Sequence, residues 1–264
     1  MRRREALLHI GSWMVTGAAA LSAGRARAAR AAPLDQPSVR ATIDNLFPDL
    51  PIDTSDAVAI EGPEITDDGA HVPVRLRLGT QRDTPHRIAL VASANPHPLV
   101  ATLDLGERFS GPLALRIKLA RSQSVILLAA TGQRLYAATT FLKIVASGCN
   151  PGQDETPPTD LGTIRFRHDP PREGMADARL LIRHPMRVEQ RDASDIVSRP
   201  ANHITMINVD IDGNPLLGMA CGQSVAADPY LAFRLRTPQA GETLEIGWRD
   251  TQGRGGDARF PLGI

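Results

Sequence analysis

Residues 72–78 read Val-Pro-Val-Arg-Leu-Arg-Leu, with an apolar side chain at every second position. Successive side chains of an extended chain point to opposite faces. This stretch can therefore bury Val72, Val74, Leu76 and Leu78 while Arg75 and Arg77 meet water. A helix would scatter the same residues around its circumference. The alternation returns in HRIALVAS (86–93) and PLALRIKLA (112–120), and in the second half in GTIRFRHD (162–169), ARLLIRHPM (178–186), HITMINVDIDGNPLL (203–217), YLAFRLRTP (230–238) and GETLEIGWRDTQGRGGDARFPL (241–262). SVILLAATGQRLYAATTFLKIVA (124–146) reads as two strands joined around Gly132. With 22 glycines and 21 prolines the turns are well supplied, and Asp68-Gly69, Asp212-Gly213 and Gly253 mark hairpins. The one helical signal is a short lead-in, where Ser38 is placed to cap a helix running through Phe47. The expectation is an all-β chain of two sandwiches, each of roughly 100 residues.

The two halves are separated by NPGQDETPPTD (150–160), where periodicity stops and three prolines and three acids accumulate. This is a linker by composition. The expected organisation is 1–31 export signal, 32–149 first domain, 150–161 linker and arm, and 162–264 second domain. The first 31 residues join an arginine cluster to a short apolar stretch and an Ala-rich end. Ala26-Arg27-Ala28 and Ala29-Arg30-Ala31 both offer small-x-small cleavage sites, and Arg3-Arg4 matches a twin-arginine signal. Interruptions at His9, Gly11, Ser12 and Gly17 leave the stretch short of the ~20 apolar residues a membrane span needs. The expected location is the periplasm, with no membrane segment in the mature form.

Several function classes are disfavoured. A net charge of +1 and 4% aromatic residues do not make a nucleic-acid surface. His71, His86, His97, His168, His184 and His203 show no ligand spacing. Asp210-Ile211-Asp212-Gly213-Asn214 lacks the far acid of a calcium loop and reads as a hairpin turn. No phosphate loop or nucleophile elbow is present, so neither a metal nor a cofactor is expected.

That leaves the cysteines, Cys149 and Cys221. Cys149 follows an apolar strand and is flanked by Ser147, Gly148 and Asn150, small residues that leave a sulfur accessible. Nothing local activates it, so it should titrate near the free value of about 8.5 and act as a handle for a partner enzyme. The alternatives are a disulfide to Cys221, the default for two cysteines in an oxidising compartment, and an incidental loop thiol.

EGPEITDDGAHVPV, ANPHPLVATLDLG, RIKLARSQSVILLAATGQRLYAATTFLKI and the small-Gly-Cys ending at Cys149 make Leu34 to Gly152 resemble SoxY, the sulfur-carrying subunit of a periplasmic thiosulfate-oxidation carrier. ARLLIRHPM, NHITMINVDIDGNPLL, DPYLAFRL and GETLEIGWRDTQG make Gly162 to Ile264 resemble its partner subunit SoxZ. The whole is similar to fused SoxYZ-like carriers, a group associated with periplasmic quinoprotein dehydrogenases. The resemblance implies two immunoglobulin-like β-sandwich domains joined by a short Pro-rich linker. It also implies a mobile Gly-Gly-Cys-Gly-Gly arm whose cysteine holds the substrate covalently, with Cys149 in that place and Gly148 matching the preceding glycine. The same resemblance implies that a heme enzyme couples thiosulfate to the thiol, a hydrolase releases sulfate and a molybdenum enzyme oxidises the remaining sulfur, while the carrier itself catalyses none of this.

Ser147, Asn150 and Pro151 depart from the arm pattern, while Gly152 keeps a glycine nearby. Pro151 fixes its own φ and biases Asn150 toward extended geometry, which stiffens the arm. Cys221 lies where SoxZ carries no carrier cysteine; it reads as a small, partly buried residue or as a resolving partner for Cys149. The rival to a carrier is an accessory protein that docks a periplasmic quinoprotein dehydrogenase or its cytochrome.

Overall fold

The computed structural model describes residues 32–54, 56–79, 86–145, 159–191, 194, 196–236 and 240–263. A 3₁₀ turn (Ala32–Asp35) and one helix, α1 (Pro37–Leu46), precede eighteen strands. In the first half these are β1 (Ile52–Asp53), β2 (Val58–Glu61), β3 (Ile65–Thr66), β4 (Val72–Leu78), β5 (Arg87–Ala92), β6 (Leu99–Leu105), β7 (Phe109–Ile117), β8 (Gln123–Ala130) and β9 (Leu135–Ile144). In the second half they are β10 (Ile164–His168), β11 (Met175–Ile182), β12 (Gln190–Arg191), β13 (Val197–Arg199), β14 (Ile204–Ile211), β15 (Asn214–Cys221), β16 (Tyr230–Arg236), β17 (Thr243–Asp250) and β18 (Gly255–Pro261).

Both halves are β-sandwiches, and they share their sheets. One sheet runs β1-β9-β8-β5-β6-β15-β14-β17-β18, with β3 added on β9; the other runs β10-β11-β16-β7-β4-β2. The halves meet edge to edge at two antiparallel seams: β6 against β15 (Leu105 opposite Leu217, Ala101 opposite Cys221) and β7 against β16 (Leu115 opposite Leu231, Phe109 opposite Leu235). A single buried core crosses the seams, from Leu76, Leu90 and Leu127 to Ile207, Met219 and Leu244. Pairing the two open edges of each half satisfies backbone groups that would otherwise template aggregation.

The seam is also tied by side chains. Asn95 lies buried at one end of it: its amide donates to the Lys118 carbonyl and to Ser224 Oγ, both at 2.9 Å, and its Oδ1 accepts from Gln123 Nε2 at 2.8 Å. The buried Lys118 ammonium donates to the carbonyls of Met186 and Gln223 in the second half. Arg108 forms a two-pronged pair with Glu242 across the halves, at 2.7 and 3.0 Å. Two glycines admit the close approach. A Cβ on Gly106 would lie 1.9 Å from the Pro215 oxygen, and one on Gly222 would lie 2.5 Å from the Leu99 oxygen.

Local sequence explains most elements. In β4, Val72, Val74, Leu76 and Leu78 are buried and the residues between them exposed, as the alternation requires. The unbroken apolar run of β8 has both faces covered. Val125, Leu127 and Ala129 join the inter-sheet core, while Ile126, Leu128 and Ala130 pack under Val39, Ile43 and Phe47 of the helical lead-in. Asp212 (φ 48) and Gly213 (φ 76) form the tight β14–β15 hairpin.

Two local expectations are corrected. Ser38 is not the helix cap. Pro37 takes the first helical position, Gln36 before it is extended, and no side chain caps the end. Asp68-Gly69 is not a two-residue hairpin either. β2 and β4 do pair antiparallel, but the connection detours through β3, which lies parallel to β9. Asp68 instead uses its carboxylate to accept the N–H groups of Ala70 and His71.

Candidate functional site

β9 carries the chain toward Cys149, and its position is firmly set. On one side it pairs antiparallel with β8 from Leu135 to Leu142. On the other, β3 runs parallel to its last residues, Ile65 opposite Lys143 and Thr66 opposite Ile144. The ladder extends one residue past the strand, where the Val145 N–H donates to the Thr66 carbonyl at 2.9 Å. Ser122 Oγ accepts the Ile144 N–H at 3.0 Å and donates back to the Ile144 carbonyl. Leu142 anchors the inner face at 1% exposure. The end of β9 is therefore a fixed platform ending at Val145. Ser147, Gly148, Cys149, Asn150, Pro151 and Gly152 lie outside the described residues.

Cys221 is described, and it is buried. It ends β15 facing the inter-sheet core, and its thiol donates weakly to the Met219 carbonyl at 3.9 Å. Burial pushes the thiol up to about 12, so at neutral pH it holds its proton and is a poor nucleophile. The ladder registers place it in a row with Ala101, Leu90, Leu127 and Ala138. That row meets β9 seven residues before Val145, and four inter-strand steps separate β15 from β9. At ~4.8 Å per strand and ~3.4 Å per residue, Cys221 is roughly 30 Å from Val145 across the sheet.

Compared with known families, residues 43–149 match "Sulfur oxidation protein SoxY" and residues 164–261 match "Sulphur oxidation protein SoxZ". The chain is a fused SoxYZ-like protein. The SoxY match ends on Cys149 itself. Among solved structures, the sulfur carrier protein SoxY from Chlorobium limicola f thiosulfatophilum is 30% identical to this chain. That alignment covers 41% of this chain and 96% of that one, at a TM-score of 0.37. No match to a curated protein was found.

The SoxZ part contributes a buried polar cluster beside the seam with the SoxY part. His184 accepts the Met186 N–H at Nδ1 (3.1 Å), which fixes the tautomer so that Nε2–H donates to Asp250 (3.3 Å). Burial lowers the His184 pKa, against the pull of Asp250. Burial alone would raise Asp250, but hydrogen bonds from the Arg254 N–H and guanidinium, His184 and Gln252 outweigh it and hold the carboxylate ionised. These bonds also shape the Gly253 turn between β17 and β18. Nearby, burial and then the Lys118 ammonium lower His203 to about 4. His184, Asp250 and Arg254 point at one another and brace the turn, whereas His203 Nδ1 is buried without a hydrogen-bond partner. A shallow groove of about 650 Å³ opens beside it on the β14–β17–β18 face, lined by residues including Asn208, Gly247, Arg249, Arg254 and Asp257. It lies at the opposite end of the sheet from β9. Among the described residues, no group of three or more His, Cys, Asp or Glu could hold a metal ion, and no helix is long and apolar enough to cross a membrane.

The sequence pointed to Cys149 but not to the platform beneath it. Nor did it signal the pairing of the halves, because β6 and β15 carry the alternation of any half-buried strand.

Proposed function

We propose that this protein is an exported, periplasmic carrier that holds a sulfur intermediate covalently on Cys149 and presents it to partner enzymes of thiosulfate oxidation. The observation that carries the reading is the position of Cys149. It is the last residue of the SoxY match and lies four residues beyond a platform whose register is fixed by β8 and β3.

Loading is an oxidative coupling. The Cys149 thiolate and the outer sulfur of thiosulfate form one S–S bond, giving an S-thiosulfonate, and two electrons leave to the heme enzyme that drives the step. Hydrolysis by a second enzyme then releases sulfate and leaves a persulfide on Cys149. The carrier supplies the thiol, its presentation, and a docking surface for each enzyme.

In this reading residues 32–149 form the carrier part, 150–161 the remainder of the arm and the linker, and 162–264 the supporting part; residues 1–31 direct export. Two joined sheets replace the association of separate subunits. The linker then does not set the geometry between the parts, which the seams hold. Cys221 is a packing residue: its burial and its separation from Val145 leave no place for a bridge to Cys149 without backbone movement. The test is intact-mass analysis after incubation with thiosulfate and the heme enzyme. A reducible adduct on Cys149 that is absent from Cys149→Ser supports the reading, and an unmodified Cys149 rejects it.

A further inference from the structure

Among the described residues, five large apolar side chains are exposed: Ile65, Phe141, Val145, Ile196 and Met206. Three of them lie together at the root of the arm. Phe141, Lys143 and Val145 alternate onto one face of the β9 end, opposite the buried Leu142, and Ile65 flanks Lys143 in the parallel register. Ile65 is 55% exposed, Phe141 62% and Val145 70%. This is the face that the helical lead-in covers farther back: Leu135 and Ala137 of β9, with Leu128 and Ala130 of β8, pack under Val39, Ile43 and Phe47. The cover reaches Ile126 of β8, opposite Thr139, and beyond it the same face is left bare where Phe141 and Val145 stand. Lys143 sits between them and makes no ion pair among the described residues. Exposed apolar side chains grouped in one place mark an interaction site rather than ordinary surface, and the Lys143 charge among them gives that site a sign a partner can match.

We propose that Ile65, Phe141, Lys143 and Val145 form the surface on which the enzyme that loads Cys149 docks, through an apolar rim carrying a carboxylate that meets Lys143. This deepens the carrier reading and rests on it. The chain length beyond the platform identifies the occupant. Cys149 is four positions beyond Val145, so covalent geometry keeps the cysteine within about 13 Å of Val145, at roughly 3.3 Å per residue. An enzyme that takes the sulfur into a pocket must cover the surface within that radius. Ile65 and Lys143 are inside it and Phe141 stands at its edge, whereas the β14–β17–β18 groove is at the far end of the sheet.

The experiment uses the full chain with thiosulfate, the heme coupling enzyme and an electron acceptor, and follows the S-thiosulfonate mass on Cys149 with time. Phe141→Ser, Val145→Ser and Lys143→Glu are compared with the wild type. Each exposed position is replaced by a polar residue, so melting temperatures are expected to stay the same. Two enzyme-free readouts accompany the rates: iodoacetamide alkylation of Cys149 and sedimentation mass. The expected result is a loading rate slowed about tenfold or more in each variant, as for truncated interface anchors, with alkylation and mass unchanged. Loading at the wild-type rate in the variants would overturn the docking surface alone. Faster alkylation in the variants would show that the arm itself covers the patch. A wild-type dimer that the substitutions split would assign the patch to a second copy. Either of these also overturns the proposal. A wild-type chain that is never loaded would overturn the carrier reading, and the docking surface with it.

Discussion

Acid should weaken this fold through one histidine. His203 is 8% exposed, sits beside the Lys118 ammonium that crosses from the SoxY part, and also faces His184, Asp250 and His97. Burial, then Lys118, lowers its pKa from 6.5 to about 4. The unfolded chain binds a proton at His203 as pH falls below about 6.5, whereas the folded chain resists until about 4. Stability is therefore complete above pH 6.5 and is lost as pH falls toward 4. A depression of this size is worth about 3 kcal/mol in full, of which about 2 kcal/mol is lost between pH 7 and pH 4.5. His184 shifts in the same direction and adds to the slope, while Asp250 loses its contribution only as pH falls below 3.8 toward its own lowered pKa, outside this range. The assay is urea unfolding of the wild type and His203→Gln at intervals from pH 7.5 to 4.5. The variant should lose about 2 kcal/mol less than the wild type over that range, whatever its starting stability. Equal slopes in the two proteins would refute the burial of a neutral His203 beside Lys118, and with it the placement of these residues at the seam.

Native protein at pH 8 should react with a thiol reagent at Cys149 only, and Cys221 should react after denaturation, because a thiol at about 12 is about 10⁻⁴ ionised there; stoichiometric labelling of both in the native state would contradict its burial. Gly222→Ala places a Cβ against the Leu99 and Val100 carbonyls and should cost about 1–3 kcal/mol in urea unfolding. Gly132→Ala, with nothing within 4 Å, should be near neutral. A double-mutant cycle on Arg108 and Glu242 should return a coupling of about 1 kcal/mol, because the pair is only partly exposed, at 29% and 18%; a value of zero would argue against the β7–β16 seam holding in solution.

How far the sequence reached is set by the range of the interactions involved. The alternation of β4 and the Asp212-Gly213 hairpin are local, and both were legible because residues two or three apart determine them. Ser38 and Asp68-Gly69 misled because each competes with a neighbour: Pro37 claims the first helical position, and the pairing of β3 with β9 pulls the chain between β2 and β4 away from a tight turn. The β6–β15 and β7–β16 seams join residues about a hundred positions apart. Their requirements are Gly106 and Gly222 at the ends of one seam, and Asn95 and Lys118 reaching across it. Each of these looks like an ordinary loop or strand residue until the halves are brought together. Cys149 stood out by chemistry, since a sulfur among small residues after a strand is unusual. The platform at Phe141, Lys143 and Val145 was not, because alternation gives two faces without saying which part of one a helix covers.

The carrier reading is tested most directly by the mass of Cys149 in protein isolated from the periplasm, before and after reduction. The account predicts an adduct on the peptide containing Cys149 that corresponds to thiosulfonate or added sulfur, is removed by reductant, and is absent from the peptide containing Cys221. A bare Cys149 thiol in cells oxidising thiosulfate, or a disulfide between Cys149 and Cys221, would contradict it.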